Sequence, residues 1–248
     1  MKLYEKLYRK VPGAIAKFFR CNTPAYAYPI FKTHKLSVEE LLHAEVADVP
    51  VRLSQSAGNI PTSRITAFLE VLIKPISVQY CNGSPNEFCK DGGRYIEDLI
   101  SWQKTNKESF EKGTTKSTFY ITAGDEALYP RLQRRLVNEA IEDALEKHSC
   151  YNSIVRQIIS ELNNICLENV ITQYGSCLYK QRGGIVTGDN HSVSLASITV
   201  HYILQPIADI LEQTELFCRF IDGIVWITDS ESTNIGIRSA LQYLRIMA

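Results

Sequence analysis

Leu216-Phe217-Cys218-Arg219-Phe220-Ile221-Asp222-Gly223-Ile224-Val225-Trp226-Ile227 sets two apolar runs around an Asp-Gly pair. The runs are rich in aromatic and β-branched residues, the composition of strands. The pair between them predicts a β-hairpin with a tight turn, Gly223 supplying a positive φ. The informative residue is the acid at the tip. It places a carboxylate where an apolar strand ends, the arrangement that gathers metal ions for phosphoryl transfer. A plain Asp-Gly turn without chemistry predicts the same dipeptide, so the rest of the chain has to decide.

The chain has 248 residues, 45% of them hydrophobic and 22% charged, enough for one large domain or two closely packed ones with a sizeable core. A net charge of +0 argues against a basic coat over the whole surface. The first forty residues nevertheless carry Lys2, Lys6, Arg9, Lys10, Lys17, Arg20, Lys32 and Lys35 against Glu5, Glu39 and Glu40. That excess predicts either a local basic face or an ordinary solvated surface. Seven cysteines at irregular spacing, with no C-x-x-C pair, predict neither a disulfide framework nor a zinc site. Several lie in apolar runs, as buried thiols do, which fits an intracellular, reducing compartment, nucleus and cytoplasm not being distinguishable. No secretory leader is expected from the charged N-terminus, and no apolar run is expected to span a bilayer.

Elsewhere the patterning alternates between helix and strand. Leu3, Leu7, Val11 and Ile15 predict a helical segment to about Arg20, kinked at Pro12-Gly13. Pro24 to Phe31 reads as extended, and residues 50–60 as a strand followed by a turn. A helix is expected from Pro61-Thr62-Ser63 to Lys74, a loop from Cys81 to Gly93, and a short helix from Tyr95 to Lys104. Ser117 to Ala123 is a strand that breaks at Gly124-Asp125. Pro130 should open a long amphipathic helix, with a second from Asn152 to Leu167. Val170 to Gln181 predicts a hairpin turning at Tyr174-Gly175-Ser176. Asp189 or Asn190 should cap a helix through Leu211, and a last helix starts near Thr233. The order is α/β without strict βαβ alternation.

Four blocks then read together. They are Lys32-Thr33-His34-Lys35 after Pro29, Pro50-Val51-Arg52 followed by the helix from Thr62 and then Lys90-Asp91, Tyr179-Lys180-Gln181-Arg182-Gly183-Gly184-Ile185-Val186-Thr187-Gly188, and Phe220-Ile221-Asp222-Gly223. In this order the chain from about residue 24 onward resembles the reverse transcriptase superfamily, and within it the Penelope-like type most. The resemblance implies an α/β (α+β) fold of right-hand polymerase type. It has an N-terminal helical segment (1–23), fingers (24–110) and a palm (111–248) whose RRM-like sheet carries helices on one face. A further palm strand and a thumb would follow the last helix, and a chain without them should grip primer–template duplex weakly.

The same resemblance implies template-directed nucleotidyl transfer on an RNA template and DNA primer with dNTP. Asp125 and Asp222 would hold Mg²⁺ (or Mn²⁺) as the catalytic pair. Arg52, Tyr129, Gln181 and Gly184 would bind the nucleotide, Tyr129 screening the sugar 2′ position. Lys32 and Lys35 would lie near template or phosphates. Arg suits phosphate because its planar fork donates bidentately. A glycine-rich turn at Gly183, Gly184 and Gly188 would let backbone approach nucleotide and template. His34 is not expected to bind metal, and Trp102 and Trp226 are packing residues.

Two positions depart from the family pattern. The acid expected five residues before the screening aromatic would fall at Gly124, and Asp125 is one residue later. Either that acid is lost, or a one-residue deletion re-aims Asp125, since a shift of one along a strand changes the face. Gly223 stands where the family has a second tip acid. The alternative to an active enzyme is therefore an inactive reverse-transcriptase-like module that binds nucleic acid or a protein partner, or a decayed copy.

Overall fold

The computed structural model describes residues 23–45, 48–56, 60–81, 92–111, 119–124, 128–220 and 223–247. The expected N-terminal helix, most of the loop after Cys81, Asp125 and Asp222 lie outside the described residues.

In chain order the elements are β1 (Ala25–Phe31), a 3₁₀ turn (Thr33–Lys35), α1 (Val38–His43), β2 (Val51–Ser56), α2 (Ser63–Cys81) and α3 (Gly92–Glu111). There follow β3 (Phe119–Gly124), α4 (Leu128–Arg131), α5 (Arg134–His148), α6 (Ser153–Glu168), β4 (Ile171–Tyr174) and β5 (Cys177–Lys180). The chain continues through α7 (Ser192–Leu204), a 3₁₀ turn (Gln205–Ile207), α8 (Ala208–Leu211), β6 (Leu216–Phe220), β7 (Gly223–Thr228) and α9 (Glu231–Met247).

The strands form two sheets. One has the order β3-β7-β6 and is antiparallel throughout; the other has the order β2-β1-β4-β5, with β1 and β4 parallel. This is the mixed α/β arrangement that the sequence order predicts. The β4–β5 hairpin, although it lies beyond residue 111, extends the sheet of β1 and β2.

Helices α2, α5, α6 and α7 enclose the main core through Ile65, Leu69, Ile73, Val137, Ile141, Ile159, Leu195 and Ile198. A second cluster of Leu204, Leu211, Phe217, Trp226 and Ile237 packs β6 and β7 against the helices around them. Trp226 is thus a packing residue, as expected. Ala25, Ile60, Val170 and Val186 form a small core under the four-stranded sheet.

Several boundaries differ from the patterning, each for a local reason. Helix α2 continues beyond Lys74 through Pro75 to Cys81. The hydrogen bond that Pro75 cannot donate would have gone to Val71, whose side is exposed and whose carbonyl water can serve, while Ile76 and Tyr80 gain burial beyond it. Pro130 lies in the one-turn α4; Gln133 is extended, and the long helix begins at Arg134. Helix α3 is 20 residues rather than a short one. Helix α1 was not expected at all, although Ser37 and Glu40 close a reciprocal capping box around its start.

Neither Asp189 nor Asn190 caps α7. Its N-cap is His191, without a side-chain bond, because the Asp189 carboxylate is engaged by Thr66 and by the Asn190 N–H. Asn152, in contrast, caps α6 by accepting the Val155 N–H at 3.0 Å. The expectation that no segment could span a bilayer is also corrected. Ser192–Leu211 is long and apolar enough to do so. In this fold it is a core element, with Leu195, Ile198, Leu204 and Leu211 buried.

Candidate functional site

The end of the three-stranded sheet fixes where the candidate acids attach. In the β6–β7 hairpin Phe220 pairs with Gly223, so the two-residue connection is Ile221-Asp222. Gly223 is the first residue of β7, and its φ is not among the positive values found at Gly175, Gly184 and Gly188. The expectation that Gly223 supplies the turn's positive φ is therefore wrong; it is a strand residue. On its other side Gly223 pairs with Gly124, the last residue of β3. Asp125 follows Gly124 by one peptide bond and Asp222 precedes Gly223 by one. The two candidate acids are thus chain neighbours of a directly paired couple, although both lie outside the described residues. Among the described residues no group of three or more His, Cys, Asp or Glu side chains could hold a metal ion.

The Gln181–Gly188 segment follows β5 of the other sheet and is tied down by the protein itself. Gly184 has φ +70°, and a Cβ there would lie 2.6 Å from the Tyr129 carbonyl oxygen and from Pro130 backbone atoms. The next residue, Ile185, donates its N–H to the Tyr129 carbonyl at 2.9 Å. Gly188, at φ +95°, has its Cβ space filled by the Gln55 carbonyl oxygen at 2.7 Å. Two of the three glycines are therefore required by close approach to protein backbone, where the sequence pointed to nucleotide and template. Gly183 faces open space.

Gln181 is half-buried, and its amide is in use. Nε2 donates to the Gly183 carbonyl at 2.8 Å, and Oε1 accepts from Gln55 Nε2 at 3.4 Å. Gln55 also donates to Thr172 Oγ1 at 2.8 Å. These three side chains join β2, β4 and the glycine-rich segment. Tyr129 is half-buried on α4 and packs against the main core. Lys32 follows β1, where its N–H bonds the Pro50 carbonyl at 2.7 Å, and Lys35 is exposed in the 3₁₀ turn. Arg52 lies opposite Ile30 in the β1–β2 register; its side chain is outside the described residues.

Three residues that motif reading missed shape this region. Arg134, at the start of α5, donates from Nη2 to the Gln181 carbonyl at 2.9 Å and from Nε to the Gly184 carbonyl at 3.3 Å. Gln55 is the second. The third is Arg219, three residues before Asp222 on β6 and fully buried, which donates to the Ser197 carbonyl at 3.3 Å. It lies beside Cys81 and His201. Burial pushes the Cys81 thiol up and His201 down to about 4, and the Arg219 charge adds to the fall at His201. Behind the glycine-rich segment, burial raises the Asp189 carboxyl and depresses His191 to about 4. No sequence signal marks Arg134; Arg219 and Gln55 each had one weak signal, a charged residue within an apolar strand run and a polar residue in the strand that carries Arg52.

With sheet register, hairpin and glycine-rich segment in place, the fold matches known structures. The chain has a telomerase-like fold. The telomerase of Candida albicans in complex with a fragment of telomeric RNA superposes with TM-score 0.65 at 14% identity, over 97% of this chain and 44% of that one. Apo telomerase from Candida tropicalis gives 0.64 at 10% identity, over 90% and 42%. A form of it truncated from the C-terminal domain gives 0.59 at 12%, over 92% and 49%. The chain therefore spans less than half of these neighbours. No family model matches the sequence, and no curated protein does.

Proposed function

We propose that this chain is the fingers and palm of a reverse transcriptase, of Penelope-like type by its four sequence blocks, which extends a DNA primer on an RNA template. One observation carries the reading: Gly124 and Gly223 pair at the end of the palm sheet, and each is followed or preceded directly by a candidate acid. Two hard carboxylate oxygen donors, one following and one preceding a strand end in the sequence, are the chemistry that Mg²⁺ or Mn²⁺ takes. The metals, when bound, supply charge neutralisation at the reacting phosphates. Asp125 and Asp222 would hold them, Tyr129 would screen the sugar 2′ position, and Arg52, Lys32 and Lys35 would offer cations to triphosphate and template. The primer 3′-hydroxyl would give up its proton to water as its oxygen bonds to the α-phosphorus, the bond to the bridging oxygen breaks, and pyrophosphate leaves. The telomerase-like fold and the telomeric RNA held by one neighbour support a nucleic-acid substrate.

A second reading is favoured by one specific feature: the paired couple itself consists of two glycines, at the positions where acids are expected. On that reading the module binds primer–template or a protein partner and catalyses nothing. Primer extension on an RNA template with Mg²⁺ or Mn²⁺ separates the two. Incorporation that is abolished by Asp222→Asn supports the enzyme, and Asp125→Asn then decides whether Asp125 replaces the acid missing at Gly124. Salt-dependent binding of primer–template by folded protein without incorporation gives the answer to the inactive module.

A further inference from the structure

Tyr129 and Gln181 belong to different elements, and the distance between them is set by contacts that no catalytic motif contains. Arg134 makes two of these. Its guanidinium spans the carbonyls on both sides of Arg182-Gly183, reaching Gln181 at 2.9 Å and Gly184 at 3.3 Å. The Ile185 N–H closes the same turn onto the Tyr129 carbonyl at 2.9 Å. Gly184 leaves no room between turn and Tyr129-Pro130 backbone. The neighbouring Arg135 does not compete, because it is paired with Glu139 at 2.8 Å.

We propose that Arg134 is the positioning residue that fixes the gap between Tyr129 and the Gln181–Gly184 turn, and thereby the discrimination between deoxyribo- and ribonucleoside triphosphates. This rests on the nucleotidyl-transfer reading of the site. The planar fork is what the geometry uses: two donors of one rigid group meet two carbonyls, which a lysine ammonium on a flexible stem cannot do in the same way. Without the fork the turn retains the Ile185 bond to Tyr129, the Gln181 N–H bond to the Val170 carbonyl and the Gln55 contact, so it stays folded, but its Gln181–Gly184 span loses its hold on α5 and can shift. A shift of this kind admits a 2′-hydroxyl, an effect on nucleotide KM more than on kcat.

The test compares wild type, Arg134→Met and Arg134→Lys in single-nucleotide extension with dNTP and with rNTP, together with hydrogen exchange of the Ile185 amide. In both variants we expect selectivity against rNTP to fall about tenfold through KM, with kcat for dNTP little changed. Ile185 protection should fall in parallel. A folded variant with unchanged selectivity, or with equal loss of kcat on both nucleotides, overturns the assignment. Should wild type incorporate nothing, the nucleotidyl-transfer reading and the selectivity claim fall together. Exchange then judges the clamp by itself, and unchanged Ile185 protection in Arg134→Met overturns it.

Discussion

Glycines at two positions show how differently one residue type is used. Gly184 has a left-handed φ of +70° and no space for a Cβ, whereas Gly223 is a strand residue whose added Cβ would meet only the Phe220 carbonyl oxygen at 3.4 Å. Gly184→Ala should therefore lose about 2 kcal/mol or more, from the left-handed backbone and the clash with Tyr129 and Pro130. Gly223→Ala should remain within about 0.5 kcal/mol of wild type. Urea unfolding of both variants checks this, and equal losses would contradict the backbone contacts assigned to Gly184. A sequence shows that a glycine is present; whether it relieves strain, admits a neighbour or simply lacks a side chain depends on what lies across from it.

Among the elements, the helices with clear apolar stripes were legible and their ends less so. Asn152 is a case where the local signal sufficed: its side chain accepts the Val155 N–H, and α6 begins at the next residue. Asn152→Ala should cost about 1 kcal/mol, seen as a lower urea midpoint with an unchanged slope. A loss below a few tenths would mean that water serves the end of α6 equally well. Asp189 is the counter-case. It has the right type for a cap before α7, but Thr66, on α2 and far away in sequence, takes its carboxylate. A cap signal is local, and a tertiary contact with better geometry overrides it.

On the scale of the whole molecule, α2, α5, α7 and β6 meet around a buried polar group. The Tyr80 hydroxyl donates to Asp143 and accepts from Gln205 at 2.9 Å, and its ring contacts both His148 and His201. His201 is faced by Tyr80, Asp143, Lys147, His148 and Arg219. His191 and His201 both titrate near 4 in the folded chain. As pH falls below about 6.5 the unfolded chain takes up protons that these two refuse, so their contribution is complete above that value and is lost on the way down to about 4. Asp189 and Glu70, which burial raises, bind protons more tightly when folded and act in the opposite sense. His201→Gln isolates one group. It should flatten the acid limb by up to about 1.4 kcal/mol per pH unit, read from urea midpoints across the same window. Parallel decline of variant and wild type would remove His201 as a cause.

The sequence by itself determined the hairpin around Asp222, the apolar stripes of the core helices, the β4–β5 turn at Gly175 and the order of the blocks, because each is a pattern over a few adjacent residues. Tertiary structure decided the rest. It paired Gly124 with Gly223, the chain neighbours of Asp125 and Asp222. It joined the β4–β5 hairpin to the sheet of β1 and β2. It filled the spaces at Gly184 and Gly188 with Tyr129, Pro130 and Gln55 backbone. Arg134 binds carbonyls 47 and 50 residues away, partners that every residue type offers and that no side-chain pattern can announce.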